Sequence, residues 1–236
     1  MPRAVAVRRL PSPGTIGRDK EVDVHYRRMP IEAESPEQVG YGRIRCNLAE
    51  SSVADATLGD LGEGLGGLVL QYGDHLGLPA LREAIAADGA GLAADDVLVT
   101  PGAVAALFLV HTTLIQAGDH LVVTRPNYAT NVETPRAIGA DVEYLDLAHE
   151  DGWAVDPDRV AAMLRPETVL VSVTTPHNPT GSTLDRDRLD ALIGIVERHG
   201  RARLLVDETY REMTFGEPLP VAASLSDRVI SVTSLS

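Results

Sequence analysis

Five short polar stretches carry the residue types that could do chemistry, and each follows an apolar run. The central one lies in Val169 to Gly181, VLVSVTTPHNPTG. Val169 to Val173 is β-branched and apolar and reads as a short buried strand. The segment then turns polar and delivers His177 and Asn178, among prolines, to that strand's carboxyl end. Asp207 ends the apolar run Leu204 to Val206 and is followed by Glu208, Thr209 and Tyr210. An unpaired carboxylate there is costly to bury, so Asp207 needs a cation or hydrogen-bond donors. No lysine or arginine beside it in sequence is an obvious partner. Thr100, Pro101 and Gly102 follow Val97 to Val99 and open a helix whose free N–H groups and macrodipole suit an anion. Asn127 and Tyr128 follow Leu121 to Val123, and Thr233 to Ser236 follow Val229 to Val232. In an open parallel sheet these strand ends share one edge, where ligands bind. Plainer roles exist for each residue taken alone. Gly102 could serve only a tight turn, Tyr128 the core, Asn178 a loop cap, and His177 a structural hydrogen bond.

Such placement requires strands alternating with helices. Strands are expected at 97–99, 120–123, 142–145, 169–173, 203–206 and 229–232. Helices are expected at 78–87, 102–116, 128–138, 157–164 and 185–199. The alternation implies an α/β fold, a three-layer sandwich with a mainly parallel central sheet covered on both faces. Right-handed crossovers follow from that arrangement. Residues 1–47 read as an irregular, comparatively basic arm with one short helix. Gly59, Gly62, Gly64, Gly66 and Gly67 follow no predicted strand, so they read as a loop and not as a dinucleotide fingerprint.

The chain of 236 residues is 44% hydrophobic, enough for one large α/β domain or two small ones. A formal charge of −13 argues against nucleic acid and anionic membranes as partners. The single cysteine, Cys46, excludes an internal disulfide and a cysteine-rich metal site. No apolar run is long enough to span a bilayer, and no signal-peptide core follows the early arginines. The expectation is a cytoplasmic protein with no metal.

Together the motifs resemble the class I/II aminotransferase family of fold-type I pyridoxal-phosphate enzymes. They are Tyr72, Gly77 and Leu81-Arg82, then Thr100-Pro101-Gly102-Ala103, Pro126-Asn127-Tyr128, His177-Asn178-Pro179-Thr180-Gly181, Asp207-Glu208-Thr209-Tyr210 and Ser234-Leu235-Ser236. They span most of the chain in the family's order, and the His-Asn-Pro-Thr-Gly and Asp-Glu-x-Tyr signals are specific as a pair. The resemblance implies a homodimer that uses pyridoxal 5'-phosphate to move an amino group between an amino acid and a 2-oxo acid. It implies that residues 48–236 are the cofactor-binding large domain, incomplete at its C-terminal end, and that 1–47 are the arm and part of a small domain. Asp207 would pair with the pyridine nitrogen, while Asn178 and Tyr210 would bond the ring's phenolic oxygen. Tyr128 would stack on the ring. The N–H groups of Gly102, Ala103 and Val104, with the Ser234 hydroxyl, would hold the phosphate. Tyr72 would reach the phosphate of the other subunit. Val104 departs from the family, where this position often carries a polar side chain. Asn47 to Ser51 looks like the family's early substrate-contacting segment and faintly resembles the aminocyclopropane-carboxylate synthase branch.

In the family, the lysine that bonds the cofactor directly follows Ser-Leu-Ser, and this sequence ends at Ser236. Taken literally, the chain lacks the base that moves the substrate proton and is expected not to transaminate. Three alternatives stay open: β/γ-elimination or cyclisation on the same cofactor, a non-catalytic cofactor-binding protein, and a Rossmann nucleotide-binding domain. The last lacks a glycine fingerprint after a strand.

Overall fold

The structure is a computed structural model that describes residues 24–27, 29–30, 34–51, 57–62 and 64–234. Residues 1–23 of the expected arm, and Leu235 and Ser236, lie outside the described residues. Five strands form one sheet: β1 (His120–Arg125), β2 (Asp141–Asp146), β3 (Thr168–Thr174), β4 (Arg203–Asp207) and β5 (Val229–Val232). The order is β2-β1-β3-β4-β5, and every neighbouring pair is parallel. The helices are α1 (Pro79–Ala86), α2 (Ala103–Leu114), α3 (Ala129–Ile138), α4 (Pro157–Met163) and α5 (Arg186–His199). The four-residue helix Pro36–Val39 lies before them among the described residues.

Alternation along the strands sorts the two cores. Leu121 and Val123 of β1, Leu170 of β3 and Leu205 of β4 pack on one face with Leu107 of α2 and Val132 of α3. Val122, Val171, Val173, Leu204 and Val206 pack on the other with Val160 of α4 and Leu189, Leu192, Ile193 and Val196 of α5. The strands are therefore apolar on both faces, as a covered parallel sheet demands. The α5 apolar residues recur at helical spacing, Asp185 caps the helix by accepting from Arg188 N at 2.8 Å, and Gly200 ends it in the left-handed region. The chain moves from β1 outward to β2, then returns past β1 to β3. Crossovers of a single hand place α3 on the opposite face from α4 and α5. The order reverses between β1 and β3, and in open sheets the ligand crevice lies at such a switch point.

One expected strand is absent. Val97 to Val99 is extended but joins no ladder among the described residues. Its inter-segment contact is Val99 N to Leu76 O at 2.9 Å. A β-branched run favours extended backbone, but a strand also needs a neighbour with free N–H and C=O groups. The glycine-rich segment forms two 3₁₀ turns, Leu58–Leu61 and Leu65–Gly67, both exposed.

Candidate active site

The polar residues that follow β1, β3 and β4 meet at the carboxyl edge of the sheet. Thr174, Asp207 and Val232 are register partners across β3, β4 and β5, forming a row at that edge. Thr175 N donates to Asp207 O at 2.9 Å and ties the loop after β3 to the end of β4. His177 then bridges the switch point. Its Nε2 donates to Pro126 O at 2.9 Å, so its Nδ1 accepts from the Thr180 hydroxyl at 2.8 Å. Burial pushes the His177 pKa down, opposed by the Pro126 carbonyl, which agrees with that neutral tautomer. The structural role expected of His177 is the one seen.

Asn178 and Tyr210, 32 residues apart in sequence, are joined side chain to side chain: Asn178 Nδ2 donates to Tyr210 Oη at 3.1 Å. The Tyr210 hydroxyl donates in turn to Ser51 Oγ at 3.1 Å. Ser51 ends the Asn47 to Ser51 segment, so the early segment reaches this edge.

Asp207 is 3% exposed. Its partners are hydrogen-bond donors: Thr209 N at 3.2 Å and Thr209 Oγ1 at 2.7 Å to Oδ1, and Asn131 Nδ2 at 3.2 Å to Oδ2. No salt bridge to Asp207 is present among the described residues. Burial raises its pKa, and the Thr209 and Asn131 donors oppose that rise. Thr209 and Asn131 were not singled out by sequence. The readable signal for Asn131 is its position in the first turn of α3, three residues past the N-cap Tyr128 and within reach of Asn127 just before the helix. Glu208 points elsewhere: its Oε1 accepts from Ala222 N at 3.1 Å, and burial raises its pKa.

At the other side of the edge, Gly102 caps α2 with φ 80° and ψ 167°. No side chain caps this helix, and the first-turn N–H groups of Ala103 and Val104 follow the cap. Ala103 packs on the core below, while Val104 is exposed. Tyr128 sits at the N-cap of α3, is about 40% exposed, and has its backbone N–H held by Asn127 Oδ1 at 2.7 Å. Ser234 lies two residues past β5. Tyr72 is fully exposed in the segment before α1, outside this cluster of contacts. A cleft of about 310 Å³ lined by Gln116, Asp119, Arg201 and Arg203 opens at the opposite, amino edge and contains none of these residues.

The edge therefore offers a buried acid held only by neutral donors, an amide–phenol pair, a half-exposed aromatic ring and an uncapped helix start. A protonated ring nitrogen, a phenolic oxygen, a flat ring and a phosphate are the complementary groups. The donor set fits pyridoxal phosphate.

Residues 47–236 match the family model for aminotransferase class I and II, and the chain belongs to that family. Its sheet and helices are those of the fold-type I aminotransferases. The chain is 34% identical over 173 residues to the arginine–pyruvate transaminase of Pseudomonas aeruginosa, across 70% of this chain and 44% of that protein. It is 30% identical over 150 residues to the aspartate/prephenate aminotransferase of Thermus thermophilus, across 61% of this chain and 39% of that one. Among solved structures, a PLP-dependent aminotransferase from Streptococcus suis superposes with a TM-score of 0.68 at 34% identity, covering 72% of this chain and 45% of that chain. The aspartate aminotransferase of Thermus thermophilus with maleate gives 0.66 at 26% identity, covering 70% and 45%. The chain thus spans less than half the length of these relatives. No helix among the described residues is long and apolar enough to cross a membrane.

Proposed function

We propose that this protein transfers an amino group between an amino acid and a 2-oxo acid, using pyridoxal 5'-phosphate in a large domain formed by residues 48–236. The observation that carries the reading is Asp207: a buried carboxylate, held by donors alone, at the switch-point edge of a family member's sheet. Asp207 would hold a proton on the ring nitrogen through a charge-assisted hydrogen bond. Asn178 and Tyr210, held together by their mutual hydrogen bond, would donate to the phenolic oxygen, the Tyr210 hydroxyl turning to it from Ser51 Oγ. Tyr128 would cover the ring face. The N–H groups of Ala103 and Val104 and the Ser234 hydroxyl would receive the phosphate, joined by the Gly102 N–H on its release from Thr100 O. Bound there, the cofactor supplies an electron sink for the pair released at the substrate's Cα. The names of the relatives, an arginine–pyruvate transaminase and an aspartate/prephenate aminotransferase, support an amino acid as the substrate.

The working form would be a cytoplasmic homodimer, with Tyr72 reaching the partner's phosphate. The support is an apolar, outward-facing set on and before α2: Leu98, Val104, Phe108 and Leu109 are exposed, as is Tyr72. Exposed apolar surface of this kind marks contact sites.

The test is optical. The full-length protein incubated with pyridoxal phosphate should develop a protein-bound absorbance band that shifts on adding an amino acid and returns on adding a 2-oxo acid. Sedimentation of the same sample should give a dimer. A folded full-length protein with no bound band would sink the assignment.

A further inference from the structure

Four polar side chains connect the ends of β1, β3 and β4 through one residue, Asn127. Its Nδ2 donates to Thr124 O at 3.2 Å and Thr124 Oγ1 at 2.9 Å. Its Oδ1 accepts from Tyr128 N at 2.7 Å, Thr174 Oγ1 at 3.1 Å and Asn131 Nδ2 at 3.1 Å. The orientation of this amide is unambiguous, because Thr124 O can only accept and Tyr128 N can only donate. Asn131 is fixed in turn. It lies between Asn127 Oδ1 and Asp207 Oδ2, which both require a donor, so both contacts fall to its Nδ2. Turning the amide over would set its oxygen against a carboxylate and a carbonyl oxygen.

That orientation has a cost. Asn131 is fully buried, and its Oδ1 has no hydrogen-bond partner among the described residues. A buried unsatisfied acceptor weakens a fold, and a side chain kept only for packing would avoid it. Local rules are broken in this way at functional sites.

We infer that Asn131 is a positioning residue for Asp207, and that Asn127 and Asn131 together lock Asp207 and the Tyr128 backbone into one rigid unit across the switch point. The inference rests on the cofactor reading above. It adds a role for two side chains that touch no cofactor in that reading. Asn131 supplies the one donor to Oδ2, while Thr209 supplies both donors to Oδ1. Without Asn131, the carboxylate keeps its anchor on one oxygen and loses it on the other. The charged group beside Asp207 in the chain is Glu208, which is turned towards Ala222 N and Ser231 and faces Arg211. It cannot replace a donor.

The experiment measures pyridoxal phosphate affinity of the full-length protein across pH, with fold checked by circular dichroism. Asn131→Leu removes the donor and the orphan acceptor together. It should weaken binding about tenfold, as loss of one hydrogen bond to a charged group would. It should also move the acid limb of binding to higher pH, because one of the donors that hold Asp207 ionised is gone. Asn131→Asp keeps the shape, guards against a folding failure of the first variant, and should lose more by setting a second carboxyl against Oδ2. A purely structural role lowers the melting temperature and leaves the acid limb where it was. A folded Asn131→Leu or Asn131→Asp with wild-type affinity and limb overturns the inference and leaves the cofactor reading standing. A wild type that takes up no pyridoxal phosphate overturns both.

Discussion

Replacing Asp207 by Asn should slow amino-group transfer about a hundredfold or more, the scale expected when a site loses one preorganised electrostatic contact. The substitution keeps the size of the side chain and its contact with Thr209, removes the charge, and sets an amide NH2 in place of Oδ2 against Asn131 Nδ2. Loss should fall on the proton-transfer step, because an anion opposite the ring nitrogen is worth most as electrons move into the ring. Asp207→Glu should retain more activity than Asp207→Asn where the longer arm can be accommodated. Stability gives an independent reading with the opposite sign. Burial raises the Asp207 pKa in the fold. A carboxyl raised in this way binds its proton more tightly when folded. The stability it contributes is present below the ordinary carboxylate pKa and is lost as pH rises through the raised value. Compared with wild type, the cofactor-free Asp207→Asn protein should therefore gain relative stability as pH rises from about 4. Glu208 is raised chiefly by its own burial, and the Asp207 charge is the smallest of the causes acting on it, so its contribution changes little in the comparison. Single-turnover half-reactions at equal cofactor occupancy, with denaturant melts at several pH values, check both halves. Were Asp207 only a cap for the turn before Thr209, transfer rates would match at equal occupancy, and the assignment would lose its main support.

The residues of this edge were legible because each lies just past an apolar run, and strand ends in a parallel sheet share an edge whatever the strand order. Asp207, Asn178 and Tyr210 could therefore be placed together before their contacts were known. The order of the strands could not be read in that way. β1, β3 and β4 are apolar on both faces, so pattern does not say which of them neighbours which. Asn131 was missed for a related reason. It lies in the body of α3, whose polar Thr130, Glu133 and Arg136 suggest a solvated helix, yet Asn131 and Thr134 are buried. Their burial depends on which face α3 turns to the end of β4, a tertiary fact. Val97 to Val99 shows the converse limit. Its residues choose extended backbone correctly, but a ladder depends on a partner strand elsewhere in the chain.

Gly102→Ala should separate the phosphate from the rest of the ligand. Gly102 has φ 80° and ψ 167°, a combination that glycine adopts almost alone. A Cβ built there meets nothing within 4 Å, so the penalty is backbone strain and not a clash. That strain amounts to about 1–3 kcal/mol. The turn is short and held at both ends: Gly102 N donates to Thr100 O at 2.8 Å, and the Thr100 hydroxyl donates to Gly102 O at 2.9 Å. Relief of the strain requires a change of φ at Gly102, which turns the Pro101–Gly102 peptide against the start of α2 and re-aims the Gly102 N–H relative to those of Ala103 and Val104. If those N–H groups hold a phosphate, the variant should bind pyridoxal phosphate about tenfold more weakly, corresponding to about 1.4 kcal/mol. Pyridoxal, which has no phosphate, should lose far less. If Gly102 serves only the turn between Val99 and α2, the melting temperature should fall and both ligands should weaken by the same factor. Titrating the full-length protein and its Gly102→Ala variant with each ligand, at a temperature where both are folded, decides between the two. A ratio of affinities that matches wild type would remove the α2 start from the site.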